Sequence, residues 1–149
     1  MARKIILGLV VLFCLIQFFR IDKTNPPINQ AQDIINATNA PVEITSILKT
    51  SCYDCHSNET KYPWYTNIAP VSWLIAKHRN EGRKHLNFSI WTTYDTEKKI
   101  KKLQESDEVI GNGEMPMSVY ILQHSDAKLT PESKKTLLNW FKKEKVSLQ

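Results

Sequence analysis

Five consecutive residues, Cys52-Tyr53-Asp54-Cys55-His56, constrain the fold of this 149-residue chain more than any other feature. Two thiols three residues apart at the end of a helix lie close together, with the His56 imidazole beside them. CxxCH is the attachment signature of c-type haem, in which the thiols bond to the two vinyl groups and the histidine ligates the iron. The fold must therefore leave room for a flat porphyrin, and the motif predicts one covalent haem c at Cys52, Cys55 and His56.

Other uses of a CxxC pair fit this sequence less well. A thiol–disulfide redox site is typical of a βαβ context, and no such pattern is visible. A zinc site needs four ligands, and outside the motif only the scattered His78, His85 and His124 remain. A disulfide across so short a loop would stabilise little.

The segment Gly111–Met117 is the best candidate to supply the second axial ligand that a six-coordinate electron carrier needs. Its glycines let the backbone approach the haem face, and Pro116 stiffens the loop directly after Met115. A thioether sulfur favours ferrous iron and raises the reduction potential. Met115 is therefore the predicted ligand, with Met117 and His78 as alternatives.

The N-terminus contains fifteen uncharged residues, Ile5–Phe19, flanked by Arg3, Lys4 and Arg20. A helix of this length spans about 22 Å, less than the ~30 Å hydrocarbon core, so length alone does not separate a cleaved signal from a short anchor. No small-residue cleavage site follows Phe19, and the basic flanks can snorkel to the two interfaces, which favours a transmembrane helix in residues 1–21. The positive-inside rule then predicts a single-pass protein of the inner (cytoplasmic) membrane with its C-terminal domain in the periplasm.

The charge balance argues against nucleic acid as a partner. Arg3, Lys4 and Arg20 belong to the N-terminal segment, and the other 17 basic residues nearly balance 15 acidic ones. The rest of the chain therefore has no dominating basic field.

Beyond a predicted linker at residues 22–29, which contains Pro26 and Pro27, the apolar spacing is helical and predicts one domain at residues 30–149. Helical patterns cover residues 31–38, 41–52, 70 onward, 95–110 and 130 onward, and no strand-like alternation occurs. In the third of these helices an apolar stripe of Val71, Leu74 and Ile75 is expected to carry His78 inward. The last helix is expected to begin at Thr130-Pro131 and to bury Leu137, Leu138, Trp140 and Phe141. The predicted fold class is all-α, a small cytochrome c-like helical domain around one haem.

Four aromatic residues follow the motif closely, namely Tyr62, Trp64, Tyr65 and Trp73. We expect them to pack in the core and to help line the porphyrin site. Lys98, Lys99, Lys101 and Lys102 are expected to form a solvated helix face, with a docking surface for an acidic redox partner as the alternative.

From the CxxCH motif onward, the sequence resembles a bacterial family known as the haem-binding domain, a small cytochrome c-like group with one CxxCH. The resemblance is close along Cys52–Ile75 and covers about residues 30–142. It continues through His78, Glu81–Arg83, Leu86–Ser89, Gly113–Pro116, Tyr120, His124 and Ala127–Leu129. It implies covalent haem at Cys52, Cys55 and His56 with Met115 as the distal ligand. One departure is Met117, where a different apolar residue is expected, and this leaves the choice between the two methionines open.

The sequence thus predicts a membrane-anchored monohaem cytochrome that transfers single electrons between exported redox partner proteins and is not itself an enzyme. The alternative is a five-coordinate haem enzyme of the peroxidase type or a haem-based sensor. In that case Glu114 or His78 would act as a distal acid–base group.

Overall fold

The structure, a computed structural model, describes residues 1–149, and every regular element in it is helical. The all-α prediction is confirmed. The α-helices are α1 (Ala2–Ile16), α2 (Ile34–Ala37), α3 (Val42–Ser51), α4 (Tyr53–His56), α5 (Val71–His85), α6 (Thr96–Gly111), α7 (Ser118–Ile121) and α8 (Pro131–Ser147). Short 3₁₀ segments occur at Gln30–Gln32, Trp64–Asn67, Phe88–Thr93 and Ser125–Ala127.

Side-chain caps fix the starts of the two longest C-terminal helices. The Asp95 carboxylate accepts a hydrogen bond from the Lys98 amide at 2.7 Å, at the start of α6. Thr130 Oγ1 accepts one from the Ser133 amide at 3.1 Å, and Pro131 occupies the first turn of α8. Both caps satisfy amide groups that have no partner within the helix, so the predicted start at Thr130-Pro131 is confirmed.

The helix predicted over residues 31–38 is interrupted at Asp33. The Asp33 carboxylate accepts a hydrogen bond from the Ile35 amide at 3.0 Å and so begins α2, which leaves Gln30–Gln32 as a separate 3₁₀ turn. An aspartate that caps one helix has extended backbone angles and therefore ends the preceding one. Apolar periodicity alone did not reveal this break.

The hydrophobic core lies where α8 packs against α6 and α3. Its largest buried side chains include Ile34, Ile44, Leu48, Leu103, Leu137, Trp140 and Phe141. The core positions predicted for α8 are confirmed, except that Leu138 is only partly buried.

The buried face of α5 differs from the predicted apolar stripe. Val71 and Leu74 are exposed, whereas Ser72, Arg79 and Gly82 are buried. The reason is that α5 packs against α4 and the Trp64–Asn67 turn and not against the α6–α8 core. Val71 and Leu74 therefore lie on the outside of the domain, whereas Ile75 and His78 are half-buried.

The N-terminal helix α1 contains no buried residue. No helix in the structure combines the length and the apolar character required to cross a membrane, so the predicted transmembrane helix is not supported.

The residues that follow α1 are bound to the domain along their length. Gln17 Oε1 accepts a hydrogen bond from the Ala69 amide at 2.9 Å, and Gln17 Nε2 donates one to the Ala69 carbonyl at 3.1 Å. Farther along, Arg83 Nη2 donates to Asn25 Oδ1 at 2.8 Å, and Asn58 Nδ2 donates to the Pro27 carbonyl at 3.0 Å. Residues 17–27, which include most of the predicted linker, lie on the domain surface.

Candidate functional site

The CxxCH motif occupies a sharp junction between two helices. The α3 helix ends at Ser51, Cys52 lies between the helices, and α4 comprises Tyr53–His56. The Cys52 carbonyl accepts hydrogen bonds from the amides of Cys55 at 3.2 Å and His56 at 2.9 Å. This single turn of helix holds both thiols and the imidazole in one small volume, as the spacing predicts.

The imidazole of His56 is held in one tautomer. Its Nδ1 lies 3.0 Å from the Leu86 carbonyl oxygen, just beyond the end of α5. Because a carbonyl oxygen can only accept, Nδ1 carries the proton and Nε2 keeps a lone pair that can ligate a metal ion. Burial lowers the pKa of His56, which keeps the ring neutral near pH 7. A neutral histidine with its second nitrogen bound to a backbone carbonyl is the usual arrangement of a metal-ligating imidazole.

The two thiols of the motif are free and protonated at neutral pH. Burial, together with the neighbouring Cys55, raises the pKa of Cys52 to about 12. Burial and the Asp54 carboxylate raise the pKa of Cys55 to about 11.

Gly82 allows α5 to approach the motif closely. A Cβ atom at this position would lie 2.7 Å from the Cys55 carbonyl oxygen and 3.2 Å from the Cys55 Cβ. Only glycine fits this contact without a shift of the backbone. The sequence signal was an isolated glycine inside a helical pattern, which commonly has a packing reason.

The first variable residue of the motif, Tyr53, is anchored in the core. Its hydroxyl donates a hydrogen bond to Asp33 Oδ1 at 2.7 Å, and its ring stacks on Phe88 with centroids 5.4 Å apart. Asp33 is almost fully buried and receives a second, longer contact of 3.5 Å from Ser89 Oγ. Tyr53 thus holds the motif against the segment that begins the domain.

This anchor makes the folded protein sensitive to high pH. Burial and the hydrogen bond to Asp33 raise the pKa of Tyr53 above its ordinary value, so the folded state retains a proton that the unfolded chain releases near pH 10. The free energy of unfolding is then highest below about pH 10 and falls as the pH rises further. We expect the Tyr53→Phe variant to lose about 1–3 kcal/mol at pH 7, because Asp33 loses a partner, and to show a shallower decline above pH 10. Denaturant titrations across this range would test both effects, and parallel curves for the two proteins would contradict the assignment.

The second variable residue, Asp54, connects the motif to α7. Tyr120 Oη donates a hydrogen bond to Asp54 Oδ2 at 2.8 Å, and the Lys61 amide donates to Asp54 Oδ1 at 3.0 Å. Burial and the bond to Asp54 raise the pKa of Tyr120. The Tyr120 ring also stacks on His124, with centroids 4.2 Å apart, and His124 Nε2 lies 2.5 Å from Tyr65 Oη. These contacts bring the methionine segment, Gly111–Met117, next to the motif.

A cavity of about 540 Å³ lies beside the motif, within the range of small-molecule and cofactor sites. Both motif cysteines and His56 line it. Its apolar wall includes Leu86, Phe88, Val109, Ile110, Leu129 and Phe141, and its polar wall includes His78, Glu81, His85, Lys102, Glu105 and Tyr120. The helices α5 and α6 both contribute to the wall without packing extensively on one another, so the cavity separates them.

All three predicted candidates for a second ligand line this cavity, namely Met115, Met117 and His78. The Met115 amide donates to the Val109 carbonyl at 3.2 Å, which holds Met115 close to the end of α6. Glu114 is exposed and does not line the cavity, so its predicted role as a distal acid–base group is not supported. The expectation that Tyr62, Trp64, Tyr65 and Trp73 line the site is wrong, because Tyr120, Phe88 and Phe141 supply the aromatic wall.

Two cationic side chains contribute to this site in ways that the sequence did not reveal. Lys102 pairs with Glu105 at 2.7 Å and, unlike the other lysines of its cluster, is mostly buried and lines the cavity. Arg83 donates to the Ser57 carbonyl at 2.7 Å and to Thr60 Oγ1 at 2.8 Å, which fixes the loop after His56 onto α5. Lys102 thus departs from the solvated helix face that was expected for its lysine cluster.

A family model described as a haem-binding domain matches residues 11–143 of this chain. No curated protein and no solved structure matches this chain. The match covers the motif, the cavity-lining helices and the methionine segment.

Proposed function

Because the chain belongs to the haem-binding domain family, we propose that it is a monohaem cytochrome that carries single electrons. The haem would be attached covalently through Cys52 and Cys55 and ligated by His56. When bound, it supplies an iron that cycles between the ferric and ferrous states. The protein's part is to hold, orient and shield it, and we propose no catalytic residue.

The observation that carries this proposal is the environment of His56. Its Nδ1 is bound to the Leu86 carbonyl, which leaves Nε2 available, and both motif thiols lie at the same cavity. The mostly apolar wall suits the porphyrin ring, and the cavity volume suits a cofactor of this size. Covalent attachment suits a small domain because it does not depend on a large apolar contact area.

Met115 is the proposed second ligand of the iron. It lies in the cavity wall beside Pro116, and the Tyr120–Asp54 hydrogen bond links the helix that follows it to the motif. A thioether in this role favours the ferrous state and excludes small ligands such as peroxide from the iron. Met117 and His78 line the same cavity and are the alternatives.

We further propose that the domain acts on the exported face of the cytoplasmic membrane and exchanges electrons with exported redox proteins. The apolar residues of α1, with Arg3 and Lys4 at its start, support this location. Haem c attachment outside the cytoplasm is consistent with it.

An absorption spectrum of the exported protein, produced in cells that mature c-type cytochromes, tests the proposal. We expect low-spin bands and a weak red sulfur-to-iron charge-transfer band. Met115→Ala should abolish that band and lower the reduction potential, whereas the matched variant Met117→Ala should retain both. If only Met117→Ala removes the band, the ligand assignment is wrong; a colourless protein would refute haem binding altogether.

The same spectrum separates the carrier from a second candidate function. Two titratable side chains, His78 and Glu81, line the cavity and could serve as acid–base groups in a peroxidase-like enzyme or a haem-based sensor. That function requires an open position on the iron. High-spin ferric bands would therefore favour it and overturn the carrier proposal.

A further inference from the structure

An exposed apolar surface surrounds the point where the N-terminal segment meets the domain. We call it the junction patch and define it as Phe18, Phe19, Trp64, Val71, Trp73 and Leu74. Phe18 is 82% exposed, Phe19 is 69% exposed and Trp64 is 74% exposed. Isolated exposed apolar residues are ordinary, whereas a contiguous group of large ones marks an interaction surface.

Hydrogen bonds hold the segments that carry the patch next to one another. Trp73 Nε1 donates to the Phe19 carbonyl at 2.9 Å, which joins α5 to the N-terminal segment. Arg20 Nη1 donates to the Asn67 carbonyl at 2.7 Å, and Asn67 Nδ2 donates to the Trp64 carbonyl at 3.0 Å. The turn that contains Trp64 therefore lies beside the same segment.

The patch continues the apolar surface of α1. The 15 residues of α1 span about 22 Å, and Gln17 ties the end of the helix directly to Ala69, just before α5. No flexible spacer separates the helix from the domain. A bilayer that receives α1 would consequently also meet the patch.

The chemistry of the patch matches the interface of a lipid bilayer. Tryptophan is enriched at the level of the lipid headgroups, where its ring is buried and its N–H can be satisfied. Arg20 and Lys23 lie beside the patch, and neither pairs with a carboxylate side chain. Lys23 Nζ instead donates to Asn67 Oδ1 at 2.6 Å. Two cations next to exposed tryptophans suit an anionic headgroup layer, and the nearby Asp22 carboxylate is engaged with the Thr24 amide.

We propose that the junction patch lies in the headgroup layer of the membrane, so that the domain rests on the bilayer in one fixed orientation. This inference rests on the proposed membrane association of the N-terminal segment. It adds that the haem domain itself contacts lipid through α5 and the Trp64 turn. A second copy of the chain is the competing occupant of the patch.

Photocrosslinking in vesicles tests the proposal with the full-length holoprotein. The vesicles contain phosphatidylethanolamine, phosphatidylglycerol and a phospholipid with a diazirine near its headgroup, and labelled peptides are mapped by mass spectrometry. We expect labels in α1 and also at residues 64–74. Labels confined to α1 would refute the claim that the junction patch contacts lipid, but would still support membrane association of the N-terminal segment. An unlabelled chain would overturn both.

Paired substitutions sharpen the test. The double variant Trp64→Gln, Leu74→Gln should reduce the labelling of residues 64–74 several-fold. The matched control Val42→Gln, Val146→Gln alters two other exposed apolar residues, on α3 and α8, and should leave this labelling unchanged. An equal loss in both double variants would contradict the proposal. If the first variant folds poorly, the wild-type labelling map alone decides the outcome.

Discussion

Replacing both Cys52 and Cys55 with serine is expected to make the haem extractable with acidified organic solvent. A serine hydroxyl does not add to the vinyl groups, so the cofactor would depend on His56 and on the apolar cavity wall alone. The wild-type protein should retain all of its pigment under the same treatment. Each single variant should retain one thioether bond and therefore stay pigmented, with a shifted pyridine haemochrome spectrum.

The third cysteine provides the matched control for this experiment. Cys14 is exposed on α1, away from the cavity, so Cys14→Ser should leave covalent haem content unchanged. Covalent pigment that survives in the double variant would refute attachment through the motif.

Substitution of Gly82 by alanine is expected to destabilise the protein by about 1–3 kcal/mol, the usual cost of overpacking. The added methyl would lie 2.7 Å from the Cys55 carbonyl oxygen, which belongs to the helix that carries the motif. The backbone would have to move apart, and the His56–Leu86 hydrogen bond spans the same contact between α4 and α5. We therefore also expect a lower yield of haem-loaded protein. Denaturant unfolding and the ratio of haem to protein measure the two effects.

Gly111 allows this effect to be separated from helix propensity. A Cβ at Gly111, the last residue of α6, meets nothing within 4 Å, so Gly111→Ala should leave stability unchanged or raise it by less than the ~1 kcal/mol typical of a helix interior. The two substitutions add the same methyl group to a helical residue, and only Gly82→Ala should destabilise the protein. Equal shifts of the same sign would show that the contact with Cys55 does not limit the packing of α5.

The parts of the structure that were predictable from sequence depend on local chemistry. The CxxCH spacing places three functional groups within one helical turn, and this holds whatever surrounds it. The start of α8 follows from Thr130 and Pro131 because a cap and its helix are adjacent in the chain. The glycine-flanked Met-Pro predicts a methionine near the motif, and Met115 does line the cavity, while its role as an iron ligand stays a prediction.

The parts that were missed depend on which surfaces meet. The apolar stripe of α5 was assigned to the core because periodicity identifies a face without identifying its partner. In the structure the buried face of α5 contains Arg79 and Gly82, whose partners are the N-terminal segment and the motif. The acceptor for His56 is a backbone carbonyl, and no side-chain pattern can reveal it. Glu114 is adjacent to Met115 in the sequence, yet it is exposed and does not line the cavity.

The bond between His56 Nδ1 and the Leu86 carbonyl would also affect the electronics of a haem iron that His56 ligates. An imidazole that donates its proton to a carbonyl gains partial imidazolate character and becomes a more basic ligand. If His56 ligates the iron of a bound haem, this more basic donor would stabilise the ferric state and would oppose the effect of the proposed Met115 thioether. Because the acceptor is a main-chain oxygen, no substitution at position 86 removes it. Evolution or design can adjust this influence only by moving the end of α5 relative to the His56 ring.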